Sequence, residues 1–276
     1  MIPRMFRTAS DRSPVAPPAR PWGMPLLGLG RLAFAGAQLL ALVLSPSSYA
    51  RPYRPALARQ IYLDTASHLL WFTLLSALIS LVLIRIVVVT ALSYGLSQFA
   101  VQMMVRVLIL ELIPTTAALF VALRSTIPRG AELAEMRRLG RRRGEDPALP
   151  AFADPAPLRL HVVPRVVAGI FAVWTLVAVS CVVALVVGYL VVHGLAVGGL
   201  ESYTRTVGQV FRPDVAAIFL LKTLLLSVAV GVVPAAWAWF GAPARHSAVA
   251  RELQVLVRLF IVILLIEVGS LVGNYY

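Results

Sequence analysis

The chain has 276 residues, of which 59% are hydrophobic and only 13% charged, a balance that excludes a soluble globule and marks a membrane protein. Its formal net charge of +13 does not point to nucleic acid, because the basic residues lie between apolar runs long enough to cross a bilayer. Cys181 is the only cysteine, so no intrachain disulfide can form, and His68, His161, His193 and His246 show no metal-ligand spacing. No metal or cofactor is expected.

In chain order, residues 1–23 read as a polar, proline-rich arm ("RTASDRSPVAPPARP") on the cytoplasmic side. Residues 24–64 read as an interfacial or elbow helical region. Met24 to Ser45 is nearly long enough to span, but it contains Arg31 and is flanked on both sides by arginines, whereas a span should separate a basic side from a less basic one. A cleaved signal peptide ending in "SPSSYA" is the rival reading. It would place the nine arginines of 124–165 outside, against the positive-inside rule.

Residues 65–276 then carry five predicted spans, since roughly 30 Å of hydrocarbon needs about 20 mostly apolar residues in a helix. They run approximately over Ala66–Thr90, Leu96–Leu123, Val166–Val192, Val215–Phe240 and Leu253–Val272. With the N-terminus inside, the basic loops 124–165 and 242–252 face the cytoplasm, the 194–214 connection lies outside, and the C-terminal "NYY" ends outside. The fold class expected is an all-α integral membrane protein: an N-terminal interfacial helix, five spans, and a short cytoplasmic helix between spans two and three.

Arg85, Arg106, Glu111, Lys222, Arg258 and Glu267 fall inside the spans, where an unpaired charge costs about 3 kcal/mol even on the lenient insertion scale. Each needs a partner, water, or a route to the interface. Glu111 lies well inside span two, three residues before Pro114, which removes a helical hydrogen bond. Glu111, Pro114 and Thr116 are therefore the candidate residues for a polar hinge lining a cavity. The "GSLVG" of Gly269 to Gly273 has the small-xxx-small spacing of close helix packing, a weak signal in so apolar a chain.

Nothing in the chain suggests catalysis. Lys222 is the only lysine and no glycine loop precedes it, so a phosphate-cradling P-loop is excluded, and neither GxSxG nor HExxH occurs. Energy for transport would come from a gradient or from another subunit. Between spans two and three, Gly130 to Gly140 reads as a short helix with Leu133 and Met136 on one side. Glu132 and Glu135 lie early in it and Arg137 and Arg138 late, the order that suits the helix dipole. On physics alone, a solvated or lipid-touching basic loop and a protein-docking helix fit it equally.

The stretch "ELIPTTAALFVALRSTIPRGAELAEMR", Glu111 to Arg137, resembles the signature of the MlaE (YrbE) family of ABC-transporter permeases, and "VPRVVAG", Val163 to Gly169, resembles that family's start of its third span. The resemblance implies a homodimeric inner-membrane permease of a Gram-negative envelope that moves phospholipid between inner membrane and periplasm. It also implies partners: a cytoplasmic ABC ATPase subunit, a periplasmic MCE-domain protein and often a small STAS-domain protein. In that family the helix between spans two and three is the coupling helix set into the ATPase. The corresponding residues here are Arg124, Arg129, Gly130, Ala131, Glu132, Leu133, Met136 and Arg137. The chain departs from the pattern at Leu110, Ile113, Leu123 and Thr126, and after Arg137, where "RLGRRRG" and an unrelated stretch follow. Two rival readings are a non-transporting structural subunit of an envelope complex and a gradient-driven transporter with Glu111 or Glu267 as proton carrier.

Overall fold

The computed structural model describes residues 24–142, 156–240 and 248–275. The arm 1–23, residues 143–155 (with the last two residues of "RLGRRRG") and residues 241–247 lie outside the described residues. The described elements are helices: α1 (Met24–Leu44), α2 (Arg54–Ser93), α3 (97–142), α4 (Ala156–His161), α5 (Val163–His193), α6 (Leu200–Val210), α7 (Pro213–Phe240) and α8 (Ala248–Tyr275), with short 3-10 turns at Pro46–Tyr49 and Val197–Gly199. Among the described residues no strand occurs.

Five helices are long and apolar enough to cross a membrane, over Arg54–Ser93, Phe99–Leu139, Pro157–His193, Pro213–Phe240 and Val249–Gly273. The five expected spans are all present. Each is longer than its apolar run, because nothing in the flanking sequence stops the helix. Pro55 occupies the first turn of α2, where its missing N–H costs nothing, and no Gly or Pro follows before Gly95. Thus α2 starts 12 residues before the expected span and its 40 residues rise about 60 Å, roughly twice the hydrocarbon thickness. The tight turn between α2 and α3 uses Gly95 at φ 70°, and α5 ends at Gly194 at φ 66°, left-handed conformations that suit glycine.

The second span and the basic segment form one unbroken helix. Two π-helical stretches interrupt α3, at Val105–Leu112 and Ala122–Thr126, and each comes just before a proline, Pro114 or Pro128. A proline has no N–H for the carbonyl four residues earlier, and widening the helix relieves the clash of its ring with that carbonyl. The short helix expected over 130–140 is therefore the end of α3, rigidly continuous with the membrane segment, within Ile127–Arg142.

The central element is α5, which packs against α2, α3 and α7. Ala168, Ala172, Ser180, Ala184 and Gly188 are all buried along it, small side chains that let backbones approach in lipid, where no hydrophobic force drives helix pairing. Backbones approach closely where α7 crosses α5: a Cβ on Gly231 would lie 2.8 Å from the Val166 carbonyl oxygen. Gly231→Ala is expected to cost about 1–3 kcal/mol through overpacking against backbone that cannot move aside. A lowered melting temperature of the detergent-purified protein checks this; an unchanged one refutes the tight crossing. The Gly269 and Gly273 pair, by contrast, does not mediate close packing within the chain: among the described residues no heavy atom lies within 4 Å of a Cβ built on Gly269 and only Ile218, at 3.9 Å, from one on Gly273.

α1 lays Ala35, Leu39 and Val43 against α7 and α5, an i, i+4, i+8 stripe. At the other end of the bundle, α6 is held by Tyr203, whose hydroxyl donates to the Leu185 carbonyl at 2.9 Å. Burial pushes the Tyr203 phenol up to about 12, so it stays a donor at neutral pH.

Candidate functional site

Two polar clusters interrupt this apolar bundle, and α3 runs through both. The first centres on Lys222, the single lysine, whose side chain on α7 is 1% exposed. Its Nζ forms ion pairs with Glu111 of α3 and, at 2.6 Å, with Oε2 of Glu267 of α8. A third hydrogen goes to the Leu110 carbonyl at 3.3 Å. Leu110 lies four residues before Pro114, so its carbonyl is the one that the proline cannot serve. The sequence places Lys222 in a different span 112 positions away, and the tertiary fold brings it to that carbonyl. An ammonium has three hydrogens, and all three are used.

Other intramembrane charges are handled differently. Arg258 of α8 stacks its guanidinium over the Trp237 ring of α7, 3.6 Å from the centroid. Arg85 and Arg106 are exposed on the bundle surface and form no ion pair among the described residues. Pro114 is buried, whereas Thr116 is half-buried, with its hydroxyl donating back to Leu112 at 2.8 Å. Thr116 also lines a groove between α2 and α3, together with Phe72, Ser76, Ser80, Leu108 and Leu112. So Glu111 belongs to the ion cluster and Thr116 to the groove.

The second cluster lies at the basic end. Asp64 of α2, 1% exposed, pairs with Arg129 of α3 and accepts a hydrogen bond from the Ser125 hydroxyl at 2.8 Å. Neither Asp64 nor Ser125 stood out in the sequence. The available signal was that Asp64 is the only acidic residue between Asp11 and Glu111. Beside it, Arg165 of α5 reaches Glu132 of α3 at 3.5 Å. Gly130 lets α3 approach α7, since a Cβ there would lie 3.3 Å from the Pro234 carbonyl oxygen.

The eight residues of the expected coupling helix therefore separate by face. Leu133, 1% exposed, and Gly130 are buried against the bundle, and Ala131, Arg129 and Arg137 are half-buried. Arg124, Glu132 and Met136 are exposed, and Leu139 extends the Glu132–Met136 face by nearly one further turn, an i, i+4, i+7 stripe. Leu133 and Met136 are not on one side as expected; Leu133 packs with Val162, Val163, Val166 and Trp239 of the bundle. Three residues along a helix turn about 300°, enough to separate a packed side chain from an exposed one. Among the described residues no group of His, Cys, Asp and Glu is arranged to hold a metal ion.

Compared with known proteins, the chain matches the family model described as Permease MlaE over residues 57–271. No curated protein sequence matches it at a significant level.

Proposed function

The chain belongs to the MlaE permease family, and from that premise we propose that it is the permease subunit of an ABC-type transporter that moves phospholipid between the inner membrane and the periplasm. It works as a homodimer, driven by a separate cytoplasmic ATPase, with a periplasmic MCE-domain protein and in some assemblies a STAS-domain protein. The N-terminus is cytoplasmic and the C-terminus periplasmic. The observation that supports this best is the continuity of α3. One helix carries Glu111 in the membrane-spanning part and, about six to eight turns later, the exposed face of Glu132, Met136 and Leu139. A rod fixed to a membrane-embedded ion cluster at one point and to a partner at another can turn movement of the partner into movement of the bundle.

Docking of the ATPase is assigned to the exposed face, while Gly130, Leu133 and the Asp64–Arg129 pair fix that face to the bundle. Affinity purification of the chain from its native membrane is expected to recover an ABC ATPase and an MCE-domain protein; recovery of the chain alone would count against the proposal. Met136→Asp is expected to reduce ATPase recovery at least tenfold, because an exposed apolar contact becomes a charge needing desolvation at an interface. Its melting temperature should stay unchanged. Retained ATPase binding would move the docking site elsewhere.

A further inference from the structure

We propose that Arg124 of α3 and His68 of α2 form a binding site for the phosphate of a phospholipid headgroup, with a preference for lipids of net negative charge.

The two side chains come together from neighbouring helices. The His68 ring stands edge-on to Phe120, with 6.1 Å between ring centroids, and Phe120 packs in turn against Phe72. Arg124 follows Phe120 by about one turn of α3, and its charge is felt at the His68 imidazole. Both residues also fall at the end of an apolar run. His68 lies two residues inside the run that begins at Ala66, and Arg124 is the first residue after the run that ends at Leu123. That level is the boundary between hydrocarbon and headgroups at the basic end of the bundle, where lipid phosphates lie.

The protein supplies no anion to this pair. Arg124 is exposed and has no hydrogen-bond or ion-pair partner among the described residues. Asp64 is the only acid on α2, and Gln60, Ser125 and Arg129 already hold it. On α3 the nearest acids are Glu132, about 12 Å further along the helix and paired with Arg165, and Glu111, about 20 Å back and paired with Lys222. A guanidinium at the edge of the hydrocarbon without a counter-charge is costly, and a phosphate provides one. The planar fork of Arg124 fits two phosphate oxygens at once, and an imidazole N–H of His68 can donate to the same group. A phosphodiester carries one negative charge. In a zwitterionic lipid the headgroup cation returns beside the guanidinium, whereas an anionic lipid brings none, and this difference sets the preference. Exposed Leu70, Trp71 and Leu123 adjoin the pair in sequence and suit acyl chains better than water, which favours a lipid over free phosphate. The site depends only on the spans lying in a membrane and holds whatever the protein transports.

Native mass spectrometry of the full-length chain in detergent, titrated with short-chain phosphatidylglycerol, short-chain phosphatidylcholine or inorganic phosphate, tests the site. The first phosphatidylglycerol is expected to bind about fivefold tighter than the first phosphatidylcholine, the worth of one basic residue near an anionic surface. Arg124→Gln should abolish that preference, and Arg124→Lys, which keeps the charge without the fork, should retain part of it. His68→Leu should weaken the binding of both lipids. Arg138→Gln, at an exposed arginine that pairs with Glu135, should leave the preference unchanged. Equal affinity of the wild type for the two lipids, or a preference that survives Arg124→Gln, overturns the proposal. So does an equal loss in Arg138→Gln, which would assign the preference to overall charge. Inorganic phosphate that competes as well as the lipid would make this a free-phosphate site and overturn the lipid assignment. The melting temperature of Arg124→Gln is expected to match the wild type; a fall would place the partner of Arg124 within the chain and also overturn it.

Discussion

Lys222→Met is expected to destabilise the purified protein by about 3–5 kcal/mol, the usual cost of removing one partner from a buried ion pair. Lys222 is 1% exposed, and without it Glu111 and Glu267 lose the donor they share and the Leu110 carbonyl loses its hydrogen bond. The triple variant Lys222→Met, Glu111→Gln, Glu267→Gln should recover most of the loss, since replacing a whole buried charge cluster by neutral residues is often nearly neutral. Thermal melting and the monodisperse fraction in detergent read both outcomes. A single variant as stable as the wild type would mean that the cluster contributes nothing to holding α3, α7 and α8 together.

Arg129→Ala is the second large effect expected. It strands Asp64 at 1% exposure, and Ser125 can still donate one hydrogen bond but supplies no charge. A loss of about 3 kcal/mol follows from an uncompensated buried carboxylate, somewhat less if water reaches the vacated space, because Arg129 itself is 21% exposed. Asp64→Asn combined with Arg129→Ala should be milder than Arg129→Ala alone. The double-mutant cycle measures the coupling, and additivity within about 0.5 kcal/mol would show that the two residues do not interact. Because this pair ties the basic part of α3 to α2, the proposed ATPase-driven lipid movement, assayed in reconstituted vesicles, is also expected to fall at least tenfold. ATPase binding should be affected much less, since the proposed docking face is separate from the pair.

The spans were legible because their signal is compositional: some 20 apolar residues in a row mean the same thing wherever they occur. Helix ends were less legible. The apolar run of α2 begins near Ala66, but the helix begins at Arg54, since helix formation depends on the absence of breakers as well as on hydrophobicity. Likewise, Pro114 suggested a bend in the second span, and the backbone instead widens ahead of it, as it does ahead of Pro128, and continues. A proline in sequence announces a lost hydrogen bond without saying how the chain absorbs it.

The candidate site divides in the same way. Sequence alone determined that this is a five-span membrane protein with six charged residues inside its spans, that each needs a partner or an exit, and that Glu111 to Arg137 resembles a permease signature. It determined these because composition, period and a local motif are properties of neighbouring residues. Only the tertiary structure decided that Lys222 is the partner of both Glu111 and Glu267, that Asp64 anchors Arg129, and that Leu133 faces inward while Met136 faces out. Those pairings join residues up to 111 positions apart, and which helices meet depends on where small residues such as Gly231 and Gly169 allow backbones to touch. A charge in the membrane states in sequence that it needs a partner; packing chooses which one.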